Sequence, residues 1–186
     1  PDGSLAKQVD AGIRIHGAWT RHYDYTMKMS FRLSFRSEYG ATSLEYPLFP
    51  DSPASEFDNI VLHSGRNRDD AQLVSNSFAR DTHRAMGHID AHSTYVHLYL
   101  NGLYWGVYEM HERQDASHYA SYFGGEDFQY DAYNASTIVD GTRDAFNELR
   151  DVVRDGDWDR IQEVLDVDNH ILFNIVQMFG GNQDLK

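Results

Sequence analysis

Between Met27 and Arg36 apolar and polar residues alternate without a break. Met27, Met29, Phe31, Leu33 and Phe35 fall on one side, and Lys28, Ser30, Arg32, Ser34 and Arg36 on the other. A period of two predicts a strand with one core face and one cationic face. Upstream, Gly12-Ile-Arg-Ile-His16 also alternates before Gly17, which predicts a strand, a tight loop and a return. Phe57–Ser64 reads as a short buried strand with a polar exit. The strongest local signal runs from Tyr95 to Asp115, where two runs rich in β-branched and aromatic residues flank Asn101-Gly102. Asn-Gly supplies the two positive-φ positions of a two-residue type I′ hairpin turn. The second strand of this hairpin ends in a charged cluster, Glu109, Glu112, Arg113 and Asp115.

Elsewhere the period lengthens. Phe78, Ala79, Thr82, Ala85 and Met86 recur at helical spacing and Gly87 follows, predicting a helix over Ser77–Met86. Beyond a short strand at Ser136–Val139, residues 142–186 read as helical. Thr142 is the expected N-cap of a first helix, with Ala145, Phe146, Leu149, Val152 and Val153 on one face and Gly156 as its stop. Trp158, Ile161, Val164 and Leu165 mark a second helix. Asp168 is the expected cap of a third, in which Ile171, Leu172, Ile175, Val176, Met178 and Phe179 are apolar nearly all round. That helix is the expected centre of a helical lobe. The pattern is that of an α+β fold spanning 1–186 as one domain fragment, strand-rich over 1–115 and mainly helical over 116–186.

Composition narrows the function classes. The 186 residues are 41% hydrophobic and 13% aromatic, values of a globular chain. Sixteen basic against 29 acidic residues give a formal charge of −13, which argues against nucleic acid as partner because phosphate neutralisation needs clustered Lys and Arg. No apolar run reaches the roughly 18 residues of a membrane span. The chain opens on Pro-Asp-Gly-Ser with no apolar leader, and both ends read as internal to a longer chain. Without cysteine there are neither disulfides nor thiolate metal sites.

Several groupings carry candidate chemistry. The Gly17 loop, with Arg14, Thr20 and Arg21 beside it, would offer backbone N–H groups and guanidinium forks to phosphate oxygens. Glu112 and Asp115 lie beyond a hairpin whose Tyr95, Tyr99, Tyr104, Trp105 and Tyr108 would wall a flat ligand. Asp155, Asp157 and Asp159, with Asp166, copy the spacing of a calcium loop, but Arg160 stands where glycine is needed and Asp replaces the bidentate Glu, so helix capping explains them better. His88 and His92 are four apart without the Glu of a zinc hydrolase motif. No nucleophile elbow, Walker loop or dinucleotide fingerprint is present.

Tyr-Leu-Asn-Gly-x-Tyr-Trp-Gly-x-Tyr followed by Glu-Arg-x-Asp resembles the signature of the CotH family, named for a spore-coat protein and related to atypical, secretory-pathway protein kinases. Other blocks resemble it in the same order, from about Ala11 to Asp184: Gly-x-Arg-x-x-Gly, Lys-x-Ser-x-Arg-x-x-Phe, Tyr46-Pro-Leu-Phe-Pro50, Tyr122-Phe-Gly-Gly125 and Asn182-Gln-Asp184. The resemblance implies a protein-kinase-like two-lobed fold and transfer of phosphate from ATP, with Mg or Mn, to a Ser or Thr hydroxyl of a surface or coat protein, outside the cell or at its surface. It makes Asp184 the catalytic base, Lys28 the phosphate lysine with Arg14 and Arg32 as supporting cations, and Glu112 a residue near the nucleotide. Asn67 with Asp69 or Asp70 are further site residues by the same resemblance. Asn182 and Asp184 are the metal-ligand candidates present, with the main ligand expected beyond Lys186. The helix at Ser77–Met86 has no glutamate for the strand lysine, Asp81 being the substitute. The rival implication is a CotH-like adhesion or scaffold module without turnover.

Overall fold

The computed structural model describes residues 4–24, 26–65, 73–134 and 137–182. Its contacts divide the chain into two compact units, Pro1–Ser77 with Ala91–Arg113, and Phe78–Asp90 with Gln114–Lys186.

The first unit is built on a five-stranded antiparallel sheet. Its strands are β1 (Gly12–His16), β2 (Ser30–Ser34), β5 (Asn59–His63), β6 (Ser93–Leu100) and β7 (Leu103–Glu112), in the spatial order β1-β2-β5-β7-β6. A small ribbon of β3 (Leu44–Glu45) and β4 (Glu56–Phe57) lies between β2 and β5 in sequence. Central β5 is the apolar run Ile60-Val61-Leu62, buried on both faces, and each such side chain contributes about 1.5–3 kcal/mol by leaving water. The hairpin predicted at Asn101-Gly102 is present, with φ of 52° and 79° at the two turn residues as a type I′ turn requires. Opposite Leu98 and Tyr99 the register shifts, leaving Trp105 as the extra residue of a bulge in β7.

Strand β2 departs from the pattern read in the sequence. It covers only Ser30–Ser34, and Ser30, Arg32 and Ser34 are its buried residues while Phe31 and Leu33 are half-buried. Met27, expected in the core, is 70% exposed. The polar side chains tolerate burial because they pair across strands. Ser30 and Ser64 hydroxyls are 3.1 Å apart, and Ser34 Oγ donates to Asn59 Oδ1 at 2.7 Å.

The second unit is mainly helical. It contains most of α1 (Ser75–Ala85), then α2 (Ala116–Phe123), the hairpin of β8 (Ala132–Asn134) with β9 (Thr137–Asp140), α3 (Asp144–Asp155), α4 (Trp158–Val164) and α5 (Val167–Phe179). Capping explains its aspartates. Asp115, Asp157 and Asp166 are the N-caps of α2, α4 and α5, accepting from the N–H groups of His118, Arg160 and Asn169. The cap of α5 is therefore Asp166, and Asp168 sits in its first turn. Thr142 precedes the cap position of α3, although its hydroxyl accepts the Asp144 N–H at 3.2 Å. Within this unit His83 is buried between Asp90, 3.1 Å from its Nδ1, and Asn169, 2.9 Å from its Nε2, while Gln114 holds the other Asp90 oxygen at 3.0 Å. Helix α5 is less enclosed than its composition suggests. Val176 is its one buried residue, and Ile171, Phe173, Ile175, Met178 and Phe179 are exposed.

A candidate anion-binding face

Residues directly opposite in an antiparallel pair share a face of the sheet. Arg14 pairs with Arg32, Arg32 with Val61, Val61 with His111 and His111 with Ser93, giving one row across all five strands. The next row on the same face holds His16 opposite Ser30, then His63 opposite Glu109 and Glu109 opposite Tyr95. The other face carries Ile13, Ile15, Phe31, Leu33, Ile60, Leu62, Tyr108 and Met110. One face of the sheet is thus mainly apolar, with Glu112 at its end, and the other is lined with ionisable groups.

Several groups of the polar face are out of water. Arg32 is 7% exposed, His111 9% and Glu109 0%. Glu109 Oε2 lies 4.0 Å from His63 Nδ1, and the His63 and His111 rings are 6.4 Å apart. His111 Nδ1 is 2.6 Å from the Glu112 carbonyl oxygen, which fixes the hydrogen on that nitrogen. His16 experiences the combined field. Burial first, then Arg113, Arg32, His63 and Arg14, push its imidazole down to about 4. Arg14 and Arg32 are thus directly opposite residues on this face, and His16 in the next row is held neutral.

Lys28 precedes β2 and is engaged by backbone carbonyls. Its ammonium donates to the carbonyl oxygens of Ser64 at 3.0 Å and Val107 at 2.6 Å, 4.6 Å from the centre of the Tyr108 ring. Arg21 is exposed at the end of the 3-10 turn Trp19–Arg21.

Glu112 pairs with Ile60 and so belongs to the apolar face, away from Arg14 and Arg32. It is 2% exposed; Oε1 accepts from Ser52 Oγ at 2.6 Å and Oε2 from the His92 backbone N–H at 2.7 Å. Among the aromatics, Tyr95, Tyr99, Tyr104 and Trp105 are exposed. Tyr108 is fully buried on the apolar face, its hydroxyl donating to Met29 O at 2.9 Å.

In the second unit Asn182 is bound to its own helix end, its amide donating to Gln177 Oε1 at 2.7 Å. Asp184, Asn67, Asp69 and Asp70 lie outside the described residues. Among the described residues no group of three His, Asp or Glu side chains is placed to hold a metal, and no helix is long and apolar enough to cross a membrane. His16, His63, His111 and Glu109 as neighbours of the arginines follow from cross-strand register, and the one sequence signal for them is their parity with Arg14 and Arg32 along their strands.

The chain is α+β, and one face of its five-stranded sheet carries Arg14, Arg32, His16, His63, His111 and Glu109. The family is specific: a profile described as CotH kinase protein matches residues 13–141, more than half of the chain, and the chain belongs to that family. No curated protein and no solved structure matches it.

Proposed function

We propose that this chain is the nucleotide-binding part of a kinase-like, two-lobed protein that transfers phosphate from ATP to a Ser or Thr hydroxyl of a protein at or outside the cell surface. The observation that carries the reading is the direct opposition of Arg14 and Arg32 on the polar face. Like charges directly opposite one another are unfavourable in a sheet, and phosphate oxygens are suited to guanidinium forks. Membership of a family described as CotH kinase protein supports phosphoryl transfer as the reaction.

In this reading Arg14 and Arg32 hold phosphate oxygens and Lys28 orders the adjoining end of the sheet from its two carbonyl contacts. Arg21 approaches the ligand from the loop after β1, and Glu112 supports the site from the opposite face. Asp184 orients the attacking hydroxyl, as the family resemblance implies. Mg or Mn, when bound, would neutralise charge on the transferring phosphoryl group, with Asn182 and Asp184 as its candidate ligands on this chain.

A second reading, a surface-binding module without turnover, draws on the exposed Tyr95, Tyr99 and Tyr104 along the hairpin. The test is thermal unfolding with and without ATP and Mg or Mn, beside mass-spectrometric detection of phosphate on acceptor proteins, with Asp184→Asn as control. An ATP-dependent rise in Tm, with incorporation lost in the control, is the expected result. No shift and no incorporation would favour the binding module.

A further inference from the structure

The inference concerns the regulation of the same face and rests on the reading that it binds a nucleotide phosphate. His16 ends β1, two residues from Arg14 on the same side of the strand, and its cross-strand partner is Ser30, two residues from Arg32. The imidazole is therefore beside the place where a phosphate held by both arginines would sit. Around it, among the described residues, stand Arg14 on its own strand, Arg32 on β2, His63 on β5 and Arg113 after β7. The Glu109 carboxylate, on the same face, lies 4.0 Å from His63 Nδ1. Burial and the neighbouring groups together disfavour a proton on His16.

We infer that His16 is a phosphate-contacting residue that takes up a proton when the ligand binds, so that the imidazolium adds a charge-assisted donor and affinity rises as pH falls. The chemistry follows from the sign of the field. In the unliganded protein the surrounding cations and burial keep the ring neutral at all ordinary pH, near a pKa of about 4. A phosphate carrying two negative charges, placed between Arg14 and Arg32, reverses the local potential and stabilises the protonated ring. By linkage the proton then strengthens ligand binding by the same factor that the ligand strengthens proton binding. The ligand class is a terminal or bridging phosphate, and the ring acts as a donor to one of its oxygens.

The experiment is an NMR titration of the histidine ring protons from pH 4 to 8, with and without saturating ATP and with metal left out. His16 is assigned by the resonance missing in His16→Gln. The expected result is an upward move of its midpoint by about two units on ATP binding. Such a move tightens ATP binding about fourfold at pH 5.5 relative to pH 8, beyond the change seen in His16→Gln, which carries the ionisation of ATP itself. If ATP perturbs the arginine-face resonances while His16 titrates as before and both proteins share one pH dependence, the inference is overturned and the nucleotide reading stands. If ATP perturbs no resonance at all, the nucleotide reading falls, and this inference with it.

Discussion

Arg14 and Arg32 are direct cross-strand partners on the β1–β2 pair, one exposed and the other 7% exposed. Like charges in this relation destabilise a sheet by about 0.2–1 kcal/mol. Arg14→Gln should therefore leave the unliganded protein as stable as before or more so, by up to about 1 kcal/mol, worth about 2–4 °C in Tm for a chain of this length. The same variant should lose the ATP-dependent rise in Tm. Differential scanning fluorimetry measures both. A lower unliganded Tm with an undiminished ATP response would mean that the arginine serves the fold and not a ligand.

Glu112 has the opposite signature. Its carboxylate is buried, with one oxygen accepting from Ser52 and the other from the His92 N–H, and hydrogen bonds to a charged group are worth about 1.5–3 kcal/mol each. Glu112→Gln turns an acceptor into a donor facing a donor. The expected loss is about 2–3 kcal/mol in urea unfolding, while the folded fraction keeps its ATP response. Unchanged stability with a lost ATP response would return Glu112 to the ligand site.

Two glycines of the sheet unit, Gly17 and Gly102, make a graded test of the backbone. Gly102 has φ of 79° with open space where a Cβ would lie, so Gly102→Ala costs only the left-handed backbone, about 1 kcal/mol. Gly17 has φ of 115°, and a Cβ there would run into the Thr20 hydroxyl. Gly17→Ala should destabilise more than Gly102→Ala in the same urea titration, because a φ of 115° lies outside the left-handed well that 79° borders and the Thr20 side chain must also turn aside. Equal costs would mean that the Gly17–Thr20 turn rearranges freely.

These contrasts show which parts of the molecule were legible in the sequence. The Asn101-Gly102 hairpin and the parity of β2 follow from local rules: turn chemistry and a period of two. Which face of β2 is the better buried does not, because it depends on β2 lying between β1 and β5, with paired residues 14 to 31 positions apart. Phe31 and Leu33 carry the apolar signal, yet hydroxyl and amide partners from β5 and its exit let Ser30 and Ser34 be buried more deeply. Glu112 lies three positions after Glu109, an odd offset, so alternation places them on opposite faces. Only the pairing of Glu109 with His63 and of Glu112 with Ile60 tells which is the polar one. The all-round apolar pattern of α5 predicts a central helix, whereas burial depends on neighbours, and among the described residues enclosure is reached only at Val176.

The pH dependence of stability gives the last prediction. His16 has a folded-state pKa of about 4, below its ordinary 6.5. Above pH 6.5 the ring is neutral in both folded and unfolded chains and makes no difference between them. Between 6.5 and 4 the unfolded chain takes up the proton and the folded one does not, so stability must fall with pH across that window. His16→Gln removes this contribution alone, leaving the carboxylates to titrate as before. Urea unfolding of both proteins at intervals from pH 7.5 to 4.5 should give curves whose difference is flat above about 7 and moves progressively in favour of the variant below 6.5. A difference that stays constant over the whole range would mean that His16 titrates at its ordinary value, and that neither burial nor the field of Arg113, Arg32 and Arg14 acts on it.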